Sequence, residues 1–315
     1  MAKQRRGEGD SLDRVFAVID GATPGLHDLA PPAVELPKGL PEPLIELYAR
    51  CDGGRIFVDT LELVPSHDVT FDSGRWQFAT SDGEPVSLDG HGRLWRREES
   101  IEDEVCEGTS IDRWLGGELD ALALIFDRDG EYADDVFDED GDLLPKVREQ
   151  QLRAKLKRDG RAPAPRWRLA LTLLEQGAAE DARRELEQVV SDDPAFAWAW
   201  LDLARVSEKI GDIAGAMEEA RMAAEAAERA QHAQAGYFWS QVARLAVRAP
   251  DEMTRAQAAT KASLLAPDLK RSQIEGARER LAAGDTASAK GLVEILRAVW
   301  PRDLEVLDLA KQLPT

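Results

Sequence analysis

The chain has 315 residues, 43% of them hydrophobic and 32% charged, with 40 Lys and Arg against 60 Asp and Glu and a formal charge of −20. That length fits two domains with cores of their own, and the anionic surplus argues against docking on nucleic acid or anionic lipid, both of which need surplus cations. Two cysteines in unrelated contexts, Cys51 and Cys106, exclude a thiolate zinc site and make a disulfide framework implausible. Met1 to Arg6 is basic, but polar Gly7 to Asp13 follows where a signal peptide has its apolar run. No stretch of about 18 apolar residues occurs, so a cytoplasmic protein without a membrane span is expected.

The charge is unevenly placed. Residues 1–150 hold 15 Lys and Arg against 35 Asp and Glu, while residues 151–315 hold 25 of each. The first half carries Asp-Gly turn pairs such as Asp82-Gly83, Asp89-Gly90 and Asp140-Gly141; the second is rich in Ala, Leu, Glu and Arg. This predicts an N-terminal extension over 1–35, an acidic α+β domain over 36–145, a helical linker over 146–162 and an all-α repeat domain over 163–315.

Within the first half, Leu40 to Tyr48 opens with prolines in its first turn and then spaces apolar residues by three and four, which predicts a short helix. Asp52-Gly53-Gly54 ends it. Arg55 to Val58, Leu61 to Val64, Trp76 to Ala79, Pro85 to Asp89 and Gly92 to Trp95 read as strands of an antiparallel meander. A closing helix starts at Thr109 or Ser110 and includes Trp114 and Leu115.

These residues, from Leu36 to about Asp120, resemble the SUKH superfamily, whose members include bacterial immunity proteins against polymorphic toxins. The resemblance rests on the Leu40–Tyr48 helix followed by Asp52-Gly53-Gly54, on Phe78-Ala79, Asp82-Gly83, Leu88-Asp89 and Gly92-Arg93-Leu94, and on the helix from Ser110 to Leu115. It implies a non-catalytic binding domain. Ala121 to Pro145 departs from the family's usual ending.

Three histidines are the obvious catalytic candidates in this half: His27, His67 in a loop after Pro65-Ser66, and His91 in a tight turn. No Ser, Cys or carboxylate forms a triad motif with them, and no glycine-rich phosphate loop exists. The expectation is no enzyme and no cofactor. The acidic stretch from Asp127 to Asp142 invites a calcium reading, but both EF-hand registers, with Gly130 or Gly141 at the glycine position, put apolar residues where ligands belong. Asp-Gly turns flanking a short strand explain it better.

Beyond residue 162 the sequence repeats. With proline at place 32 of a 34-residue unit, repeats begin at Pro163, Ala197, Gly236 and Lys270. Place 8 is then Ala170, Ala204, Ala243 and Ala277; place 15, the tight turn, is Gly177, Gly211, Pro250 and Gly284; place 20 is Ala182, Ala216, Arg255 and Ala289. Extra residues fall around Glu228 to Gln231, and Leu304 to Leu313 reads as a capping helix. This resembles the tetratricopeptide repeat, degenerate in its third unit. The resemblance implies a helical solenoid with a concave face lined by the first helix of each repeat. Place 9 there gives Leu171, Arg205, Arg244 and Arg278, and place 2 gives Ala164, Trp198, Tyr237 and Arg271. An arginine ladder beside aromatics suits an acidic or C-terminal carboxylate peptide; alternatively, the arginines are solvated and paired with acids such as Glu208. Two functions lead, ahead of a third in which His67 or His91 serves an unrecognised hydrolase. One is immunity-type neutralisation of a basic toxin by the acidic domain; the other is a scaffold whose repeats hold a partner.

Overall fold

The computed structural model describes residues 12–127, 130–133 and 135–313. The basic start Met1 to Arg6, and Arg128, Asp129 and Asp134 of the acidic stretch, lie outside them. The chain divides into two compact units, Met1–Glu185 and Leu186–Thr315.

The first unit is built on an eight-stranded antiparallel sheet. Its elements are α1 (Leu12–Asp20), β1 (His27–Leu29), α2 (Glu42–Tyr48), β2 (Gly54–Ile56), β3 (Leu61–Leu63), β4 (Thr70–Asp72), β5 (Arg75–Ser81), β6 (Glu84–Asp89), β7 (Leu94–Glu98), β8 (Asp103–Gly108), α3 (Ile111–Leu122), α4 (Pro145–Arg158) and α5 (Pro163–Glu175). The strands follow the order β1-β2-β3-β5-β6-β7-β8, with β4 paired to β5 beside β3. Alternation sets one face inward: Val86 and Leu88 of β6 are buried and Ser87 between them is not. A register shift between Gln77 and Ala79 lets Phe78 and Ala79 both turn into the core. There they meet Leu44, Leu47 and Tyr48 of α2 and Trp114 and Leu115 of α3.

The Asp52-Gly53-Gly54 turn holds this layer together. Tyr48 donates its hydroxyl to the Val64 carbonyl at 2.8 Å, and the Asp52 carboxylate accepts the Ser66 amide at 2.8 Å. Gly54 lies at φ 129°, and a Cβ there would sit 2.3 Å from the Asp28 carbonyl oxygen. Only glycine lets β1 and β2 approach so closely.

Some strands differ from expectation. The Arg55 to Val58 strand stops at Ile56, because Phe57 and Val58 take left-handed φ angles of 51° and 64°. The strand expected from Gly92 starts at Leu94, since Gly92 closes a turn by donating to the Asp89 carbonyl. The sequence reading names none of α1, β1, β4 and β8, although Leu12, Val15, Phe16 and Ile19 of α1 follow the three-and-four spacing of an amphipathic helix. The acidic stretch forms two hairpin turns, bridged Phe126 to Tyr132 and Phe137 to Leu143. Both are built on one pattern, Phe-Asp-x-Asp-Gly followed by an acid, repeated eleven residues apart.

Helices α4 and α5 belong to this first unit. α4 packs on α3, and α5 packs on α4 and β8. Arg158 grips Asp120 through Nε and Nη2 at 2.6 and 2.9 Å, Lys155 pairs with Glu118 at 2.8 Å, and buried Asp159 accepts the Thr109 amide at 2.6 Å. From α5, Arg168 donates to both carboxylate oxygens of Glu107 at 3.0 and 2.6 Å and to Glu98 at 2.8 Å. Arg96 donates to Glu107 as well, at 3.2 Å. Burial alone would raise the Glu107 carboxyl, but the Arg168 and Arg96 charges outweigh it and hold it down at about 2.

α6 (Ala179–Asp192) contains the division between the units. After it come α7 (Ala197–Lys209), α8 (Ile213–Arg229), α9 (Ala235–Arg248), α10 (Glu252–Leu265), α11 (Leu269–Ala282), α12 (Thr286–Val299) and α13 (Leu304–Lys311). Aspartates start four of them: Asp212, Asp251, Asp285 and Asp303 each accept amides of the first turn. Gly211 and Gly284 take positive φ at the expected turns, and the extra residues near Glu228 lengthen α8. α7 packs on α8, α8 on α9, and α9 on α10. Buried alanines at 204, 216, 220, 243 and 258 bring the backbones together.

The last pair breaks the pattern. In a regular stack the first helix of a repeat would lie on the preceding pair, but here the second helix does: α12 packs on both α9 and α10. α11 shares a core with α12 and α13 through Ile274, Ala277, Val293, Leu296, Val306 and Leu309. Arg255, where the repeat wants a small residue, reaches across and donates to the Ala298 carbonyl in the last turn of α12 at 2.7 Å. Among the described residues no helix is long and apolar enough to cross a membrane. The fold is an antiparallel sheet with helices, followed by a run of helices.

Candidate docking cleft in the repeat unit

The ladder arginines are internally paired. Arg205 donates to Asp202 at 2.7 Å and to the Tyr237 hydroxyl at 3.4 Å. Burial opposes the Arg205 charge, yet Asp202 and Tyr237 favour it enough to raise its pKa. Arg244 binds both oxygens of Glu208 at 2.7 and 2.6 Å, and Arg248 reaches the same carboxylate. Hydrogen bonds from Arg244 hold Glu208 below its ordinary value. Arg278 pairs with Glu305 at 3.0 Å, and Arg271 lies near Asp268 at 3.4 Å.

The aromatics are placed as follows. Trp198 is buried, with its ring 4.9 Å from Phe238 and 6.1 Å from Tyr237. Arg205, Tyr237 and Trp198 therefore gather on α7 and α9. Arg271 and Arg278 stand on α11, which packs with α12 and α13, while α12 takes the place beside α9. The fourth repeat's slip separates its two arginines from the others.

The same slip opens a cleft of about 770 Å³ between the end of α9, the start of α10, the end of α12 and α13. Its apolar lining includes Val247, Pro250, Ala298, Pro301 and Leu307; its charged lining includes Arg244, Arg248, Arg255 and Arg297 against Asp251, Glu252 and Glu294. Val247 is 55% exposed, a branched apolar side chain held open to solvent. Arg244 and Arg255 are committed to Glu208 and to the Ala298 carbonyl. Arg297 is exposed and has no ion-pair partner among the described residues. With Glu208 counted, the charges balance, so the cleft is amphipathic rather than cationic.

Sequence reading at places 2 and 9 reached Arg244 but not Val247, Arg248, Arg297 or Leu307. Arg248, one turn on from Arg244, was legible as a neighbour on one helical face. The α12 residues were not, because only packing brings them there.

His67 is exposed beside Asp68, and His91 is exposed in its turn. His27 accepts the Phe57 amide on Nδ1 at 3.2 Å, and burial lowers its pKa. Burial pushes the Cys51 thiol up to about 11. Among the described residues no three His, Cys, Asp or Glu side chains gather as metal ligands.

The tetratricopeptide repeat family model matches residues 173–236. A search of the curated proteins found no match. Among solved structures the chain is similar to the crystal structure of MamA, with 16% identity over 54% of this chain and 87% of that one and a TM-score of 0.35. It is similar to Pseudomonas aeruginosa PilF, with 19% identity over 53% and 74% and a TM-score of 0.36. It is also similar to YrrB, described as a TPR protein with an unusual peptide-binding site, with 12% identity over 53% and 82% and a TM-score of 0.34. Tetratricopeptide-repeat sequence is thus shown in the C-terminal part of the chain over residues 173–236.

Proposed function

We propose that the chain is a protein-interaction scaffold whose repeat unit docks a peptide segment of a partner in the α9–α10–α12 cleft. The observation that carries this reading is the open amphipathic cleft, where exposed Val247 stands between balanced charged rims. Such a lining suits a segment with an apolar anchor flanked by charges of both signs. The reading assigns no catalytic step to the chain. Affinity capture with Val247→Glu tests it: a partner held by the native chain is lost, while Lys209→Glu retains it and both variants melt as the native chain does. Equal capture by Val247→Glu would contradict the cleft.

A finer reading concerns the acidic first unit. The SUKH-like resemblance of residues 36–120 and the anionic surplus of residues 1–150 support capture of a basic protein, in the manner of an immunity protein neutralising a toxin.

A further inference from the structure

A second surface stands out on the first unit, where an aromatic run leads out from the edge of the core. Five rings run in sequence across it: His27 on Phe57 at 5.0 Å, Phe57 on Phe126 at 5.4 Å, Phe126 on Tyr132 at 4.8 Å and Tyr132 on Phe137 at 4.9 Å. Within the run Phe57 is buried, and Tyr132 surfaces, 60% exposed. Gly130 in the first hairpin turn lies against Leu26 and Val58, whose Cδ1 and Cγ2 would be 3.3 and 3.7 Å from a Cβ there. The rings and these aliphatic groups therefore form one continuous face.

Val58 is the unexpected member. It sits at φ 64°, where a β-branched residue is strained and Asn or Gly is favoured. Yet its side chain remains 48% exposed, so burial does not offset that strain. Asp59 follows Val58 and Glu131 precedes Tyr132 in the chain, and Asp135, Asp138, Glu139, Asp140 and Asp142 flank Phe137, whose ring meets Tyr132. None of the last six acids has a basic partner among the described residues, whereas Glu98, Glu107, Glu118 and Asp120 are all paired.

We propose that the Val58–Tyr132 face is a docking surface for an arginine- or lysine-rich segment of a partner protein. This rests on the capture reading of the acidic unit and names where capture happens. Charge complementarity selects the occupant: guanidinium or ammonium groups pair with the carboxylates that have no basic partner among the described residues, and one stacks on the exposed Tyr132 ring. Val58 supplies the apolar contact for the stems of those side chains.

The test uses the full chain and fluorescein-labelled octa-arginine, read by anisotropy at two salt concentrations. The native chain binds with salt-sensitive affinity. Tyr132→Ala and Val58→Asn, which leave the charge unchanged, each weaken binding at least fivefold, and Tyr132→Phe binds as the native chain does. Val58→Asn also raises the melting temperature, an opposition that a purely structural role for Val58 would not produce. Failure of the native chain to bind would remove the capture reading together with this surface. Native binding that Tyr132→Ala and Val58→Asn leave unchanged would overturn the surface alone.

Discussion

At the scale of single residues, Glu107 shows how burial and charge are balanced in this fold. It is 4% exposed, and three guanidinium hydrogen bonds from Arg168 and Arg96 satisfy it. Its carboxyl is held at about 2 against an ordinary value of 4.5. A depressed carboxyl contributes stability that is complete above its unfolded value and disappears as pH falls through its folded one. The expected outcome is a loss of stability in the first unit between about pH 4.5 and pH 2, followed by near-UV circular dichroism. Glu107→Gln should lower stability at pH 7 by about 3 kcal/mol, because it leaves half-buried Arg168 with Glu98 alone as its charge partner, and should flatten the acid limb. Equal acid sensitivity in the native chain and the variant would sever the link to Glu107.

At the scale of elements, helix spacing decides which substitutions matter. Gly236 lies in the first turn of α9 against the end of α10: a Cβ there would meet the Ala266 Cβ at 2.4 Å and its amide nitrogen at 2.8 Å. Gly236→Ala must push the two helices apart, at a cost of about 1–3 kcal/mol. Gly291, inside α12, has nothing within 4 Å of its virtual Cβ. Gly291→Ala should stabilise by about 0.5–1 kcal/mol through helix propensity alone. Urea melts of the two variants distinguish steric from entropic glycine, and equal shifts would refute the assigned contact. The elements also show what a sequence can reveal. The helices of the second half were legible because alanines, turn glycines and prolines recur at fixed places. In the first half, α2 and the strands with clean alternation, such as β6, were equally plain. β8 was not, because Asp103-Glu104-Val105-Cys106-Glu107 reads as a charged loop. Its acids become strand residues only because Arg75, Arg96 and Arg168 arrive from distant elements to pair with them. β1 and β4, three residues each, are too short to show a period.

At the scale of the whole molecule, the second half is a repeat array that changes its own register. Helices α7 to α10 stack in order, and the misfit at place 20, Arg255, marks where α12 enters beside α9 and α10. The sequence signals that an irregularity exists there, but not its consequence, since helix placement depends on tertiary contacts spread over α9 to α13. The cleft follows from that placement, and with it the proposed binding role. The most direct measurement is hydrogen exchange of the full chain with and without the partner it captures. The account predicts slowed exchange in residues 244–255 and 294–307, the segments that line the cleft. Slowing confined to other segments, with 244–255 and 294–307 exchanging as in the free chain, would contradict it.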